Sequence, residues 1–337
     1  MKKGSRKDSA RITFPDVRLR RLRTTPAIRD LLQETRLSAA NLIAPVFVQE
    51  GLVRPEEISS MPDVYRLPLS NLVSEVKKIS ELGIRAIILF GLPSRRDENA
   101  SSSFDSDGIV QKSIKMVRKH FGDKMAIVTD VCLCQYTSHG HCGLVSNKKI
   151  DNDRSIQTLA KVAVSHASAG ADIVAPSAMM DGQVLAIRRG LDDAGFKEAA
   201  IMGYSAKQAS PLYAPFRDAA HSAPEFGDRQ TYQMPFANAR EAMREVEMDV
   251  SEGVDIVMIK PAIPYLDLIY RTRQSTKLPI CAYSVSGEYA LIKAAALNGW
   301  IDENAAMTEF LTSIRRAGAD IIITYQAKKM AQLLKKQ

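Results

Sequence analysis

Three of the four cysteines fall within eleven residues, Cys132, Cys134 and Cys142 of the segment DVCLCQYTSHGHCG (130–143). Three thiolates at this spacing make a strong site for a soft divalent metal, zinc first, and leave one tetrahedral position open. A closed structural site needs a fourth ligand, for which His139 and His141 are the candidates. A catalytic site keeps three ligands and a water. Spacing alone leaves both open, beside the plainer readings of a redox pair or inert buried thiols. Cys281, far away in an apolar run, is expected in the core.

Two lysines carry a second kind of chemistry. Lys260 ends the apolar run DIVMIK and precedes Pro261. A lysine at the end of a buried strand is desolvated, so its pKa falls and the free amine becomes a nucleophile suited to a Schiff base with a carbonyl. The plain alternative is a lysine that snorkels out or pairs with an acid. Lys207, in GYSAKQAS after the preceding apolar run, is expected on the neighbouring strand. Two ammonium groups there disfavour each other's charge, and two amines suggest two carbonyl substrates held together.

The thirty-odd residues after Lys207, QASPLYAPFRDAAHSAPEFGDRQTYQMPFAN (208–238), show no regular period. Such a segment reads as a lid or binding loop. Its Arg217, Arg229 and Gln233 form a candidate carboxylate clamp, because arginine offers planar paired donors. A solvated surface charge is the ordinary alternative for each arginine.

These groups need elements to position them. Eight short apolar runs recur along the chain, at 41–48, 86–91, 125–133, 172–178, 199–206, 255–261, 279–286 and 320–327. They are continuously apolar, as parallel strands buried on both faces are. Amphipathic stretches of helical period separate most of them, for example 69–83, 154–170 and 237–253. Gly83, Gly170, Gly195, Gly253 and Gly318 stand where the helices should stop. Eight such units point to a (β/α)8 TIM barrel, an α/β fold, rather than an open doubly wound sheet; no glycine-rich phosphate loop follows the first strand. Barrel chemistry collects at the carboxyl ends of strands. Those ends supply Asp130, Ser177, Lys207, Lys260, Ser286 and Tyr325.

The formal charge of +8 is concentrated at the start of the chain: eleven Lys and Arg against four Asp and Glu in the first 36 residues. A basic arm could bind nucleic acid, but no nucleic-acid motif or interleaved aromatics accompany it; an arm packing on a neighbouring subunit explains it as well or better. No apolar run approaches the length of a membrane span, nothing resembles a signal peptide, and the clustered cysteines fit a reducing cytoplasm.

The combination DVCLCQYTSHGHCG, MGYSAKQAS…YAPFRDA, GDRQTYQM, MIKPAIPYLD and YSVSGEYA resembles the porphobilinogen synthase (5-aminolevulinate dehydratase) family. The resemblance runs from RRLRTTPAIRDLLQETRLS to the last strand. It implies that two molecules of 5-aminolevulinate condense, losing two waters, to porphobilinogen, an early step of tetrapyrrole and haem synthesis. It implies that Lys260 forms the Schiff base with one substrate, whose carboxylate Ser286 and Tyr325 bind. Lys207 engages the other, held by Arg217, Arg229 and Gln233. Zinc is implied on Cys132, Cys134 and Cys142, with Asp130 assisting in proton transfer or hydrogen bonding and the two histidines outside the ligand set. In some members a separate regulatory magnesium is associated with the acid matched by Glu245, whose ordinary reading is a solvated helix carboxylate. The resemblance further implies a homo-octamer in which residues 1–40 form an oligomerisation arm and residues 41–337 the catalytic barrel; hexameric states exist in the family. Departures from the family pattern are local, at Gln208, Pro211, Ala214 and Met234-Pro235-Phe236.

Two rivals remain. A class I aldolase-type barrel would use one lysine and leave the cysteines unexplained. A zinc-stabilised nucleic-acid-binding protein would need a closed metal site and leave Lys207, Lys260, Ser286 and Tyr325 unexplained.

Overall fold

A computed structural model describes residues 13–336. Lys2, Lys3, Arg6, Lys7 and Arg11 of the expected basic arm therefore lie outside the described residues. The chain divides into two compact units between Arg36 and Leu37. In the first, a 3-10 turn at Leu19–Arg23 and a short helix at Pro26–Leu31 bury no residue. Thr25 caps that helix by accepting a hydrogen bond from the Ile28 amide, and Leu19, Leu22 and Leu31 are exposed.

In the second unit all eight expected strands form. They are β1 (Leu42–Gln49), β2 (Ala86–Leu92), β3 (Ala126–Val131), β4 (Ile173–Pro176), β5 (Ala200–Lys207), β6 (Ile256–Lys260), β7 (Ile280–Ser284) and β8 (Ile321–Thr324). Each pairs in parallel with the next, and β8 returns to β1 through Leu42–Ile322 and Ile43–Ile323, closing a TIM barrel.

The helices follow the apolar period. Helix α1 (Leu72–Glu81) buries Leu72, Val76 and Ile79, and α2 (Ile109–Phe121) buries Ile109, Val110, Ile114 and Val117. These are one-face spacings. Next come α3 (Asn152–Ala169), α4 (Gln183–Asp193), α5 (Ala239–Ser251), α6 (Leu266–Ser275), α7 (Ser286–Leu297), α8 (Glu303–Ala317) and α9 (Ala327–Leu334). Gly170 and Gly318 end α3 and α8 at φ +108° and +125°, a backbone that a side chain would strain.

The strands are apolar on both faces because the barrel has two cores. Ile43, Phe47, Ile88, Phe90, Val128 and Met258 fill the interior, while Leu42, Ala44, Val46, Ile87 and Leu89 pack outward against the helices. In β5 the alternation breaks. Met202 and Gly203 pair with Ile256 and Val257, whereas Ala206 and Lys207 pair with Ile259 and Lys260. Three steps on β5 thus match two on β6, a β-bulge of one extra residue. Met202 and Tyr204 belong to the interior core but Ala206 to the outer one, so the bulge turns Lys207 into the barrel, where strict alternation from Tyr204 would turn it out.

Candidate active site

The two lysines meet at the carboxyl rim of this barrel. Lys207 and Lys260 are paired residue to residue across β5 and β6, and both are buried. The Lys207 ammonium donates to the Ser177 carbonyl just beyond β4. Beneath both amines lies the ring of Tyr204, its centroid 5.5 Å from the Lys207 Nζ and 5.0 Å from that of Lys260. Around Lys260 stand three more rings: Tyr283 at 4.3 Å, Tyr213 at 5.2 Å and Phe216 at 5.2 Å. This shell strips water from the amine. Desolvation first, then the charge of Lys207, pulls the Lys260 pKa down to about 7, against the opposing pull of Asp130 and the thiols. The amine is therefore substantially neutral near neutral pH, as a nucleophile requires.

Asp130, in β3, is half-buried. Burial raises its carboxyl pKa, while Lys260, Lys207 and a hydrogen bond from Ser177 pull it down. Burial also raises the pKa values of Tyr204, Tyr213, Tyr283 and Tyr325, keeping the phenols protonated. Tyr325, just past β8, shares a 2.9 Å hydrogen bond with the Tyr283 hydroxyl and stacks on Phe47.

The three cysteines converge after β3. Their sulfurs all lie within 4.8 Å of one another, and all three are buried and free. Such a set fits a thiophilic divalent ion. The thiolate charge is easiest to place on Cys142. Hydrogen bonds from Cys132 and Cys134, then the nearby cations of Arg229 and Lys207, hold its pKa well below the usual thiol value. Neither histidine joins the group. His141 is engaged through Nδ1 with the Tyr232 hydroxyl at 3.0 Å and through Nε2 with the Phe226 carbonyl at 2.9 Å. The His139 Nδ1 accepts from the His141 amide. Cys281 is buried in the barrel interior, as expected.

The segment after β5 is not wholly irregular, and that expectation is corrected. A 3-10 turn at Pro211–Tyr213 runs into a helix at Ala214–Ala219. Ser210 caps the turn by accepting from the Leu212 amide, and Pro211 and Pro215 occupy first-turn positions that favour them. Arg66, buried, donates to the Ala219 and Asp218 carbonyls and anchors the helix end. Beyond it the lid rests on the cysteine loop. Arg229 donates to the Gly140 and Ser222 carbonyls, and the Glu225 amide donates to the His139 carbonyl.

Arg217, Arg229 and Gln233 are brought together with unspent hydrogen-bonding capacity. Gln233 is 1% exposed, yet both amide atoms lack a partner among the described residues, as do the Nε atoms of Arg217 and Arg229. Buried polar groups are normally paired, so these atoms mark a place for a polar ligand. Burial opposes the charge on Arg229, and the thiolates at Cys142 and Cys134 more than offset it. Burial and Arg229 lower the pKa of Arg217. A cleft of about 670 Å³, bounded by His141, Tyr232, Gln233, Glu241 and Glu245, touches Gln233 but is lined by neither arginine of the clamp and by neither Lys207 nor Lys260.

Ser286 also ties the lid to the barrel. It opens α7, and its hydroxyl accepts from the Phe216 amide at 3.0 Å and donates to the Leu212 carbonyl at 3.2 Å, tying down the lid. Glu245 stands apart in α5, half-buried. Burial, Asp181 and Glu241 raise its carboxyl pKa, but it belongs to no group of three converging metal donors among the described residues. Sequence reasoning missed the four rings around Lys260 and the Tyr232 contact to His141. Aromatic residues in YSAK, PLYAPF and CAYSV carried that signal only once the strands were known to converge.

The Delta-aminolevulinic acid dehydratase family model matches residues 16–333. A protein of that name from Archaeoglobus fulgidus is 55% identical over 95% of this chain and 99% of its own length. One from Bacillus subtilis is 50% identical over 94% and 98%. Among solved structures, the Toxoplasma gondii delta-aminolevulinic acid dehydratase (porphobilinogen synthase), in complex with its reaction product porphobilinogen, superimposes with a TM-score of 0.93 at 43% identity, covering 95% of this chain and 92% of that one. With matches of this extent over the barrel that carries the lysines and cysteines, the chain belongs to the delta-aminolevulinic acid dehydratase family.

Proposed function

We propose that this chain is a porphobilinogen synthase, a lyase that condenses two molecules of 5-aminolevulinate into one porphobilinogen and two waters. The observation that carries the reading is the buried pair of lysines facing each other across β5 and β6 in an aromatic shell, with Lys260 depressed to about 7. Lys260 attacks the ketone of one substrate as a free amine; the carbinolamine loses water to a Schiff base, and the ring phenols keep bulk solvent out. Lys207 engages the ketone of the second molecule. Asp130, held between the two lysines electrostatically, accepts or returns protons during these dehydrations.

Arg217, Arg229 and Gln233 take the carboxylate of the second substrate, a role supported by their unpartnered buried atoms. Ser286 and Tyr325 take that of the first. Cys132, Cys134 and Cys142 would hold zinc, which when bound supplies Lewis-acid polarisation of the second substrate. Glu245 is the candidate for a separate magnesium, supported by the neighbouring carboxylates that raise its pKa and would favour a cation. Residues 1–40 are assigned to assembly of a homo-octamer, a reading supported by the exposed Leu19, Leu22 and Leu31. Among the described residues no helix is long and apolar enough to cross a membrane; the free thiols favour the cytoplasm.

Incubation with 5-aminolevulinate and zinc, with thiols kept reduced, tests the reading. Pyrrole formation that a chelator abolishes and zinc restores is the expected result. No pyrrole under those conditions would reject the activity, and pyrrole formation indifferent to chelation would reject the zinc role alone.

A further inference from the structure

Glycine is a weak helix former, yet Gly287 occupies the first turn of α7, directly after Ser286. Its φ is not in the left-handed region that favours glycine, so backbone conformation does not require it. Space does. A Cβ built on Gly287 would lie 2.6 Å from both the Cα and the carbonyl oxygen of Leu212, and 2.8 Å from the Leu212 Cβ. Two of these three atoms are backbone and cannot rotate away. Carbon atoms in ordinary contact sit about 3.5–4.0 Å apart, so a methyl group here would displace one of the two segments by roughly 1 Å.

The helix is the segment that cannot yield. Glu288 follows Gly287 and is buried. One of its carboxylate oxygens accepts from the Val285 amide at 2.6 Å, and the other from the amides of Ala262 and Ile263 at 3.1 and 2.6 Å. The start of α7 is thereby fixed to the turn that follows Lys260. The lid is the segment that moves. Leu212 is adjacent to Tyr213, whose hydroxyl donates to the Lys260 carbonyl at 3.1 Å. Four residues on from Leu212 is Phe216, whose amide donates to Ser286. Both rings border the Lys260 amine.

We propose that Gly287 is a positioning residue for the lysine chemistry: its bare Cα is the seat on which the Leu212 turn of the lid rests, and this seat sets how closely Tyr213 and Phe216 close over Lys260. The consequence for turnover rests on the Schiff-base reading above; the seat itself does not. A side chain at 287 lifts the turn, admits water to the amine and weakens the Phe216–Ser286 hydrogen bond.

Gly287→Ala tests this with two measurements. In amide hydrogen exchange without substrate, residues 212–219 should exchange at least about tenfold faster than in the wild type, while the amides of β1–β8 stay unchanged. In borohydride trapping of 5-aminolevulinate, the variant should give several-fold to about tenfold less adduct below neutral pH and converge with the wild type in alkaline solution, because the better-hydrated amine holds its proton longer. Unchanged lid exchange, or faster exchange spread equally over the barrel strands, would overturn the seat. An unchanged trapping profile with a loosened lid would overturn its link to Lys260. If the wild type traps no substrate at all, the functional reading fails, and the exchange experiment still decides the seat. Should Gly287→Ala fail to fold, Ser286→Ala keeps the glycine and removes the hydroxyl that ties down the lid, read by exchange without substrate so that its proposed carboxylate role does not enter. Faster exchange confined to residues 212–219 is then expected, and none would contradict the proposal.

Discussion

Lys207 and Lys260 are direct partners across β5 and β6, and they owe that pairing to the bulge that adds one residue to β5 between Gly203 and Ala206. Neighbouring strands lie about 4.8 Å apart. Two amines carried by paired residues, both within 5.5 Å of the centre of the Tyr204 ring, cannot hold two full charges cheaply in a desolvated site. Burial first, and then the charge of Lys207, lower the Lys260 pKa from 10.5 to about 7. The neutral, reactive fraction therefore rises with pH through about 7, and Schiff-base trapping should rise with it. Lys207→Met removes one of the two causes. Protonated Lys260 is then less disfavoured, so the trapping curve should move to higher pH while keeping its shape. A curve that stays in place would show that burial alone tunes Lys260.

The carboxylate clamp separates binding from stability. Gln233 leaves both amide atoms unpartnered while almost fully buried, at a cost of about 1–3 kcal/mol by ordinary desolvation. Gln233→Leu should therefore leave thermal stability unchanged or raise it by about 1 kcal/mol. The same substitution should raise KM for 5-aminolevulinate about tenfold or more, because the carboxylate loses a partner. A denaturation curve and a saturation curve on one preparation check both arms.

Removing the proposed metal should loosen more than the cysteine loop. The lid lies on that loop through Arg229 to Gly140, Glu225 to His139, and Tyr232 to His141 and Cys142. Unmetallated thiols leave the loop to weaker hydrogen bonds. Chelation, or Cys142→Ser with its expected loss of bound zinc, should speed amide exchange across residues 221–234 but not across α1 or α8. Metal content and exchange are both measured without turnover.

Asp249 gives a pH-dependent stability with a defined sign. It sits in α5, with Oδ2 only 2.9 Å from where a Cβ on Gly203 would lie, beside the β5 bulge. Burial pushes its carboxyl up to about 7 from 3.8, against a hydrogen bond from Ser205. The native state thus holds a proton that the unfolded chain has released, and stability falls as pH rises from 3.8 to about 7. Asp249→Asn removes the buried charge. It should stabilise the protein by on the order of 1–2 kcal/mol near pH 8 and by little near pH 4, as read from denaturation midpoints at the two pH values.

Much of this was legible in the sequence, for physical reasons. Strands buried on both faces must be apolar throughout, so all eight could be found; helix-ending glycines such as Gly170 and Gly318 confirm their spacing by positive φ. The cysteine triplet and Lys260 declared themselves by chemistry and by position at strand ends. What could not be read were relationships between elements. Counting alternate residues from Tyr204 turns Lys207 outward, and only the register with β6 reveals the bulge that turns it in. The aromatic shell draws Tyr204, Tyr213, Phe216 and Tyr283 from β5, the lid and β7, with no common period. The lid helix was signalled locally, by Ser210, Pro211 and Pro215, and its absence from the expected elements reflects its six-residue length. The grip of the Ser286 hydroxyl on the lid backbone depends on a contact across 70 residues.

The most direct measurement is reductive trapping. Borohydride added to the wild-type protein with 5-aminolevulinate should leave a reduced adduct on the peptide containing Lys260, found by mass spectrometry, and Lys260→Ala should lose both that adduct and pyrrole formation. An adduct confined to another lysine, or full turnover by Lys260→Ala, would contradict the assignment of Lys260 as the nucleophile.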